Sequence, residues 1–157
     1  MKIRSVDELT ALRPQWKDKV VVWTNGCFDL IHAGHVRSLQ AAKAQGDILI
    51  VGLNSDESVR AIKGPGRPLQ CEQDRAEVMA ALECVDFVTI FPDTEPSAVL
   101  GRLRPDVHCK GADYANRAIP ERATVESYGG RICFLPMLEG RSTSQLVDRI
   151  LEKTCAS

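Results

Sequence analysis

The sequence predicts an α/β fold, a Rossmann-like, doubly wound sheet of five parallel strands with helices on both faces. Two observations carry this. Five short apolar runs, VVVWTN (20–25), DILIVGLN (47–54), DFVTIF (86–91), DVHCKG (106–111) and RICFLP (131–136), are rich in Val and Ile and nearly continuous rather than alternating. Strands covered on both faces look like this. Helical stretches separate these runs, and strand–helix alternation favours a parallel sheet.

Each element has its own signal. Ser5 and Glu8 form a capping box that opens a short helix, and Pro14 closes it. The first strand then leads to a helix over His35 to Gln45, stopped by Gly46. After the second strand a short helix starts near Ser55, and KGPGRPLQ (63–70) follows as an irregular stretch. It is expected to be a functional loop, because loops at the carboxyl edge of a sheet carry sites. Further helices are expected over Gln73 to Leu82, Pro96 to Leu103 with Pro early, Pro120 to Tyr128 ending at Gly129-Gly130, and Ser142 to Lys153. No repeat, low-complexity tract or linker interrupts the series, so residues 1–157 are read as one domain with its core over about 20–152.

Composition narrows the function. The 157 residues are 44% hydrophobic and 26% charged, ordinary for a globular protein, and the formal net charge of −1 argues against nucleic-acid binding through bulk charge. No segment has the ~20 apolar residues of a membrane span, and MKIRSVDELTALRP lacks a signal core. A cytoplasmic protein is expected. The six cysteines form no CxxC pair or zinc-finger cluster and are read as reduced thiols, with no protein metal site.

The most informative stretch is TNGCFDLIHAGHVRSLQAA (24–42), where a buried strand ends and a helix begins. In an open parallel sheet ligands bind beyond the carboxyl ends of the strands. The helix N-terminus aims free N–H groups at that place. Gly26 and Gly34 allow close backbone approach, and His32 and His35 present imidazoles to one side, a pair suited to a phosphate chain. Neither GxGxxG nor GxxxxGK[ST] is present. His108, inside a strand run, is read as core, and Trp16 and Trp23 as packing residues.

T-N-G-C-F-D followed by H-A-G-H resembles the signature of the HxGH nucleotidyltransferase superfamily, whose members join a nucleotide's α-phosphate to an acceptor and release pyrophosphate. N-S-D-E (54–57), K-G-P-G-R-P (63–68), Arg75, K-G-A-D-Y (110–114) and E-G-R-S-T-S (139–144) extend the resemblance, most closely to its heptose-1-phosphate adenylyltransferase branch. Met137 and Leu138 stand where the glycerol-3-phosphate cytidylyltransferases carry Arg-Thr, and Ser144 ends a motif that in the heptose branch ends in Thr.

The resemblance implies transfer of AMP from ATP to a sugar 1-phosphate. It implies catalytic roles for His32, His35, Lys63 and Arg75, the last toward pyrophosphate, with an ion pair as the alternative for Arg75. It implies nucleotide binding by Thr24, Asn25, Gly26, Cys27, Phe28, Gly34, Lys110, Asp113, Ser142 and Thr143. It implies acceptor binding by Asp29, Lys63 and Arg67, with Asp29 alternatively orienting the loop. Mg²⁺ is expected to arrive on the ATP phosphates, held by substrate and water. A homodimer is expected, with neither nucleic acid nor membrane as partner. Two alternatives stay open: another phosphorylated acceptor such as glycerol 3-phosphate, with cytidylyl or adenylyl transfer, and a nucleotide-binding sensor without turnover.

Overall fold

The computed structural model describes residues 1–136 and 143–155. Five strands, β1 (Val21–Gly26), β2 (Ile48–Asn54), β3 (Phe87–Phe91), β4 (Val107–Gly111) and β5 (Arg131–Leu135), form one sheet in the order β3-β2-β1-β4-β5, every pair parallel. The expected fold class is therefore observed. The order reverses at β1, whose two neighbours belong to opposite halves of the chain. The carboxyl ends of β1 and β4 flank that reversal, where a doubly wound sheet opens a crevice.

Seven helices are described: α1 (Val6–Leu12), α2 (Ala33–Lys43), α3 (Asp56–Lys63), α4 (Glu72–Ala81), α5 (Ser97–Leu103), α6 (Arg122–Ser127) and α7 (Thr143–Cys155). The capping box at Ser5 and Glu8 is present in both directions. Pro14 does not end the helical path. It lies in a 3₁₀ segment, Arg13–Trp16, that continues α1, because Pro is tolerated early in a helical turn.

Alternate residues of each strand face opposite layers. Val22, Leu49, Val51 and Leu53 pack with Leu39 and Ala42 of α2 and Ala76 and Met79 of α4. Val21, Trp23 and Ile50 pack on the other face with Leu9 of α1, Val99 and Leu100 of α5, and Val125 of α6. Trp23 is fully buried and lies so close to Gly52 that a Cβ there would stand 2.1 Å from its ring. Aspartates ahead of the strands tie their amino ends together. Asp47 accepts from Val20 N at 2.8 Å, Asp86 from Leu49 N at 2.7 Å and Asp106 from Val21 N at 2.7 Å. The opposite, carboxyl edge is left to the long loops. Among the described residues no helix is long and apolar enough to cross a membrane.

Candidate active site

Beyond the carboxyl ends of β1 and β4 lies a cleft of about 560 Å³. Its first wall is the loop after β1. Thr24 and Asn25 end the strand; the Thr24 hydroxyl donates to the Cys109 carbonyl at 3.2 Å, and Asn25 Oδ1 accepts from Trp23 Nε1 at 3.3 Å. Cys27 and Phe28 turn the chain, Phe28 with a left-handed φ of 46°. A non-glycine residue in that region costs free energy and is found where a site holds the backbone in place. Gly26 leaves room for the Phe28 ring, which a Cβ would approach to 3.1 Å.

His32 caps α2: its Nδ1 accepts from the Gly34 amide at 3.1 Å. In the neutral ring the proton is then on Nε2. The His32 and His35 rings stack at 3.8 Å between centroids, and Phe28 meets His35 edge-on at 5.3 Å. Burial, with the His32 ring beside it, pushes the His35 pKa down to about 4. His35 is therefore neutral at pH 7, and its buried Nδ1 has no hydrogen-bond partner among the described residues.

The loop after α3 makes the second wall. Lys63, the last residue of α3, is exposed at the cleft and joins no ion pair among the described residues. Gly64 follows with a φ of 98°, a turn that favours glycine. Arg67 Nε bonds the Asp29 carboxylate at 2.6 Å, which leaves the terminal edge of its guanidinium for another anion. Asp29 is 1% exposed and also accepts from the Leu69 and Gln70 amides at 2.9 and 3.0 Å. Burial raises its pKa, but these amides and Arg67 together hold it below the ordinary carboxylate range. Of the two roles expected for Asp29, orienting the loop is the one that its contacts serve.

Arg75 makes the ion pair that was one of the two roles expected of it. Its side chain is fully buried, and its nitrogens reach the Gln70 carbonyl at 3.0 Å, the Cys27 carbonyl at 2.6 Å and Asp56 at 2.7 Å. A guanidinium offers a rigid fork of donors, and here the protein occupies it. Arg75 does not line the cleft; it joins the loop after β1 to the loop before α4.

The third wall follows β4. Lys110 lines the cleft with its ammonium 2.5 Å from Glu121 and 4.5 Å from the centre of the Tyr114 ring. Glu121 also meets His108 Nε2 at 2.9 Å. Asp113 is not among the lining residues: it lies on the 3₁₀ turn Ala112–Tyr114 and faces Arg117 at 3.7 Å. The turn directs Tyr114 rather than Asp113, expected to contact nucleotide, to the cleft. Thr143, at the start of α7, lines the cleft and donates to the Leu30 carbonyl at 3.2 Å. Ser142, with Met137, Leu138 and the first part of E-G-R-S-T-S, lies outside the described residues.

The cleft thus brings together thirteen of the residues singled out from sequence: the run 24–29, His32, Gly34, His35, Lys63, Arg67, Lys110 and Thr143. Sequence reasoning missed Glu121 and Tyr114. Glu121 follows Pro120 where a helix is due to begin, and an acidic residue there reads as an ordinary helix-end charge. Among the described residues no group of three or more His, Cys, Asp or Glu converges to hold a metal. The carboxylates of the cleft are engaged with protein: Asp29 and Glu121 as above, and Glu95 with the Ser97 amide at 3.0 Å. That donor set fits a cation carried in by substrate phosphates rather than one held by protein.

A family model described as cytidylyltransferase-like matches residues 23–134. The "Bifunctional protein HldE" of Syntrophotalea carbinolica is 49% identical over 137 residues, covering 87% of this chain and 28% of that protein. The protein of the same name from Pelobacter propionicus is 46% identical over 154 residues, covering 97% and 32%. The chain therefore spans less than a third of the length of these relatives. Among solved structures, a lipopolysaccharide core biosynthesis protein from Thermoplasma volcanium superposes with a TM-score of 0.65 at 22% identity, over 78% of this chain and 99% of that one. A pantoate-beta-alanine ligase from Francisella tularensis gives 0.62 at 16%, over 92% and 69%. At such identities the two structures establish a shared fold.

Proposed function

The chain belongs to the cytidylyltransferase-like family, and from that premise we propose that it transfers AMP from ATP to a heptose 1-phosphate, giving ADP-heptose and pyrophosphate. The observation that carries the transfer reaction is the stacked pair His32–His35 at the start of α2, facing a cleft that Lys63 and Arg67 also line. The choice of heptose rests on the segments around Lys110 and on the HldE relatives.

An oxygen of the sugar phosphate attacks the α-phosphorus of ATP, the bond to the β-phosphate oxygen breaks, and pyrophosphate leaves with that electron pair. A phosphate monoester has its second pKa near about 6, so the nucleophile arrives ionised and needs no general base. The protein's work is positioning and stabilising charge. His32 and the neutral His35 supply N–H donors. Lys63, unpaired among the described residues, supplies a cation, and Arg67, anchored through Nε by Asp29, turns its terminal nitrogens to the acceptor phosphate. The cleft's described carboxylates are engaged with protein, so Mg²⁺ would be held by the substrate phosphates and would supply charge neutralisation there. Asp29 and Arg75 act at one remove by holding the two loops together.

The proposal extends to a cytoplasmic homodimer, supported by ATP as co-substrate and by Ile150 and Leu151 on α7, 59% and 57% exposed; light scattering tests the dimer. A pyrophosphate-release assay across ATP and CTP and across heptose 1-phosphate, glycerol 3-phosphate and other sugar phosphates tests the reaction. Release is expected with ATP and heptose 1-phosphate. Release with another pair alone moves the assignment within the family, and nucleotide binding without release from any pair leaves a sensor.

A further inference from the structure

The cations at the cleft differ in how the protein treats them. Lys63 is exposed and unpaired among the described residues. Lys110 instead is 13% exposed and held by a carboxylate that is itself 1% exposed. His108 and Lys110 are two residues apart on β4 and so share a face. Glu121, just ahead of α6, lies across that face and takes both His108 Nε2 and the Lys110 ammonium on the same oxygen, at 2.9 and 2.5 Å. Burial works against the charge on Glu121, yet the two partners outweigh it and hold its pKa down to about 2. A buried ion pair is not by itself a net stabiliser compared with apolar packing, so stability alone does not account for one kept beside an open cleft.

The pairing changes what Lys110 offers. Its charge is cancelled at 2.5 Å, and its flexible stem is fixed between Glu121 and the Tyr114 ring. It presents oriented N–H donors with little net charge. Beside it are a flat aromatic ring and Pro120, both lining the cleft. That surface suits the uncharged end of a nucleotide, its sugar and base, while the unpaired charge of Lys63 suits phosphate. We propose that Glu121 is a positioning residue that fixes Lys110 as a hydrogen-bond donor to the nucleoside end of the nucleotide, backed by His108. This rests on the reading that the cleft binds ATP.

Calorimetric titration of the whole chain with two probes, ATP and inorganic pyrophosphate, separates the ends of the ligand, with a thermal melt of each variant alongside. Glu121→Gln should weaken ATP roughly tenfold, the worth of one charge-assisted hydrogen bond, and leave pyrophosphate unchanged or tighter. Lys110→Ala should behave alike, and the double variant should bind ATP no worse than Lys110→Ala alone. Unchanged ATP affinity in Glu121→Gln, equal losses for both probes, or losses that multiply in the double variant would each overturn the proposal. Should Glu121→Gln not fold, Lys110→Ala decides by the same two-probe contrast. A wild-type chain that binds no ATP overturns the functional reading itself; a wild type that binds while the variants keep full affinity overturns this proposal alone.

Discussion

Replacing Arg75 by alanine removes a guanidinium that ties together two loops 40 or more residues apart in the chain. Three acceptors lose their donor at once: the carbonyls of Cys27 and Gln70 and the carboxylate of Asp56. Asp56 is 25% exposed and recovers some hydration, whereas the arginine site is fully buried. Breaking one side of a buried, hydrogen-bonded ion pair costs about 3–5 kcal/mol. For a chain of this size that lowers Tm by roughly 10 °C. Arg75→Lys should recover only part, since an ammonium is a point charge and cannot span the fork. Thermal melts and urea unfolding measure the loss, and steady-state rates measured well below Tm separate the substrates. With both loops loosened, KM should rise for ATP and acceptor together. A Tm within about 1 °C of wild type, with kcat alone reduced, would refute the structural role and return Arg75 to direct contact with pyrophosphate.

Three further outcomes are expected. Folded His35 resists protonation down to about 4 while the unfolded chain takes a proton below its ordinary 6.5, so stability is lost as pH falls through that window; His35→Gln should flatten the decline in urea unfolding between pH 7 and 5, and an unchanged slope would count against a buried neutral ring. Arg67→Ala should raise the acceptor KM far more than that of ATP, and Asp29→Asn, which weakens the anchor at 2.6 Å, should move the acceptor KM the same way; equal effects on both substrates would return the loop to a solvated surface. Gly52→Ala sets a methyl 2.1 Å from the Trp23 ring and should cost about 1–3 kcal/mol, read by Trp fluorescence in denaturant; a neutral change would mean the sheet and ring yield more easily than their burial suggests.

The strands and most helices were legible because burial on both faces of a sheet writes continuous Val/Ile runs, and helix ends carry Gly, Pro and capping signals. The stretch 24–35 was legible for the same reason, since two glycines and two histidines meet where a run stops. Asp29, Arg75 and Glu121 were not legible in the same way. Each is defined by a partner distant in sequence, and nothing local distinguishes a carboxylate that will be buried against Arg67 from one that will face water. Pairing also reassigned residue types. Arg75 carries the charge a phosphate site needs, yet it is fully buried and paired with Asp56. Asp113 sits in K-G-A-D-Y, a segment expected at the nucleotide, but a single 3₁₀ turn directs its neighbour Tyr114 to the cleft instead.

The strand order has a consequence for how the chain is made. β1 acquires β2 on one side early, but its other side stays bare until β4 arrives, after β3 has been laid at the far edge. The Thr24 hydroxyl and the carbonyl that it meets on β4 are 85 residues apart. A nascent chain that has emerged as far as β3 therefore holds the histidine loop and Lys63 but exposes an open parallel edge, a template for pairing with another chain. Closing so distant a contact is slow. The wall carrying Lys110 and Glu121 is the late arrival, so the cleft is incomplete until the sheet has passed its most aggregation-prone stage. A nucleotide that binds only the closed form then draws the folding equilibrium toward it.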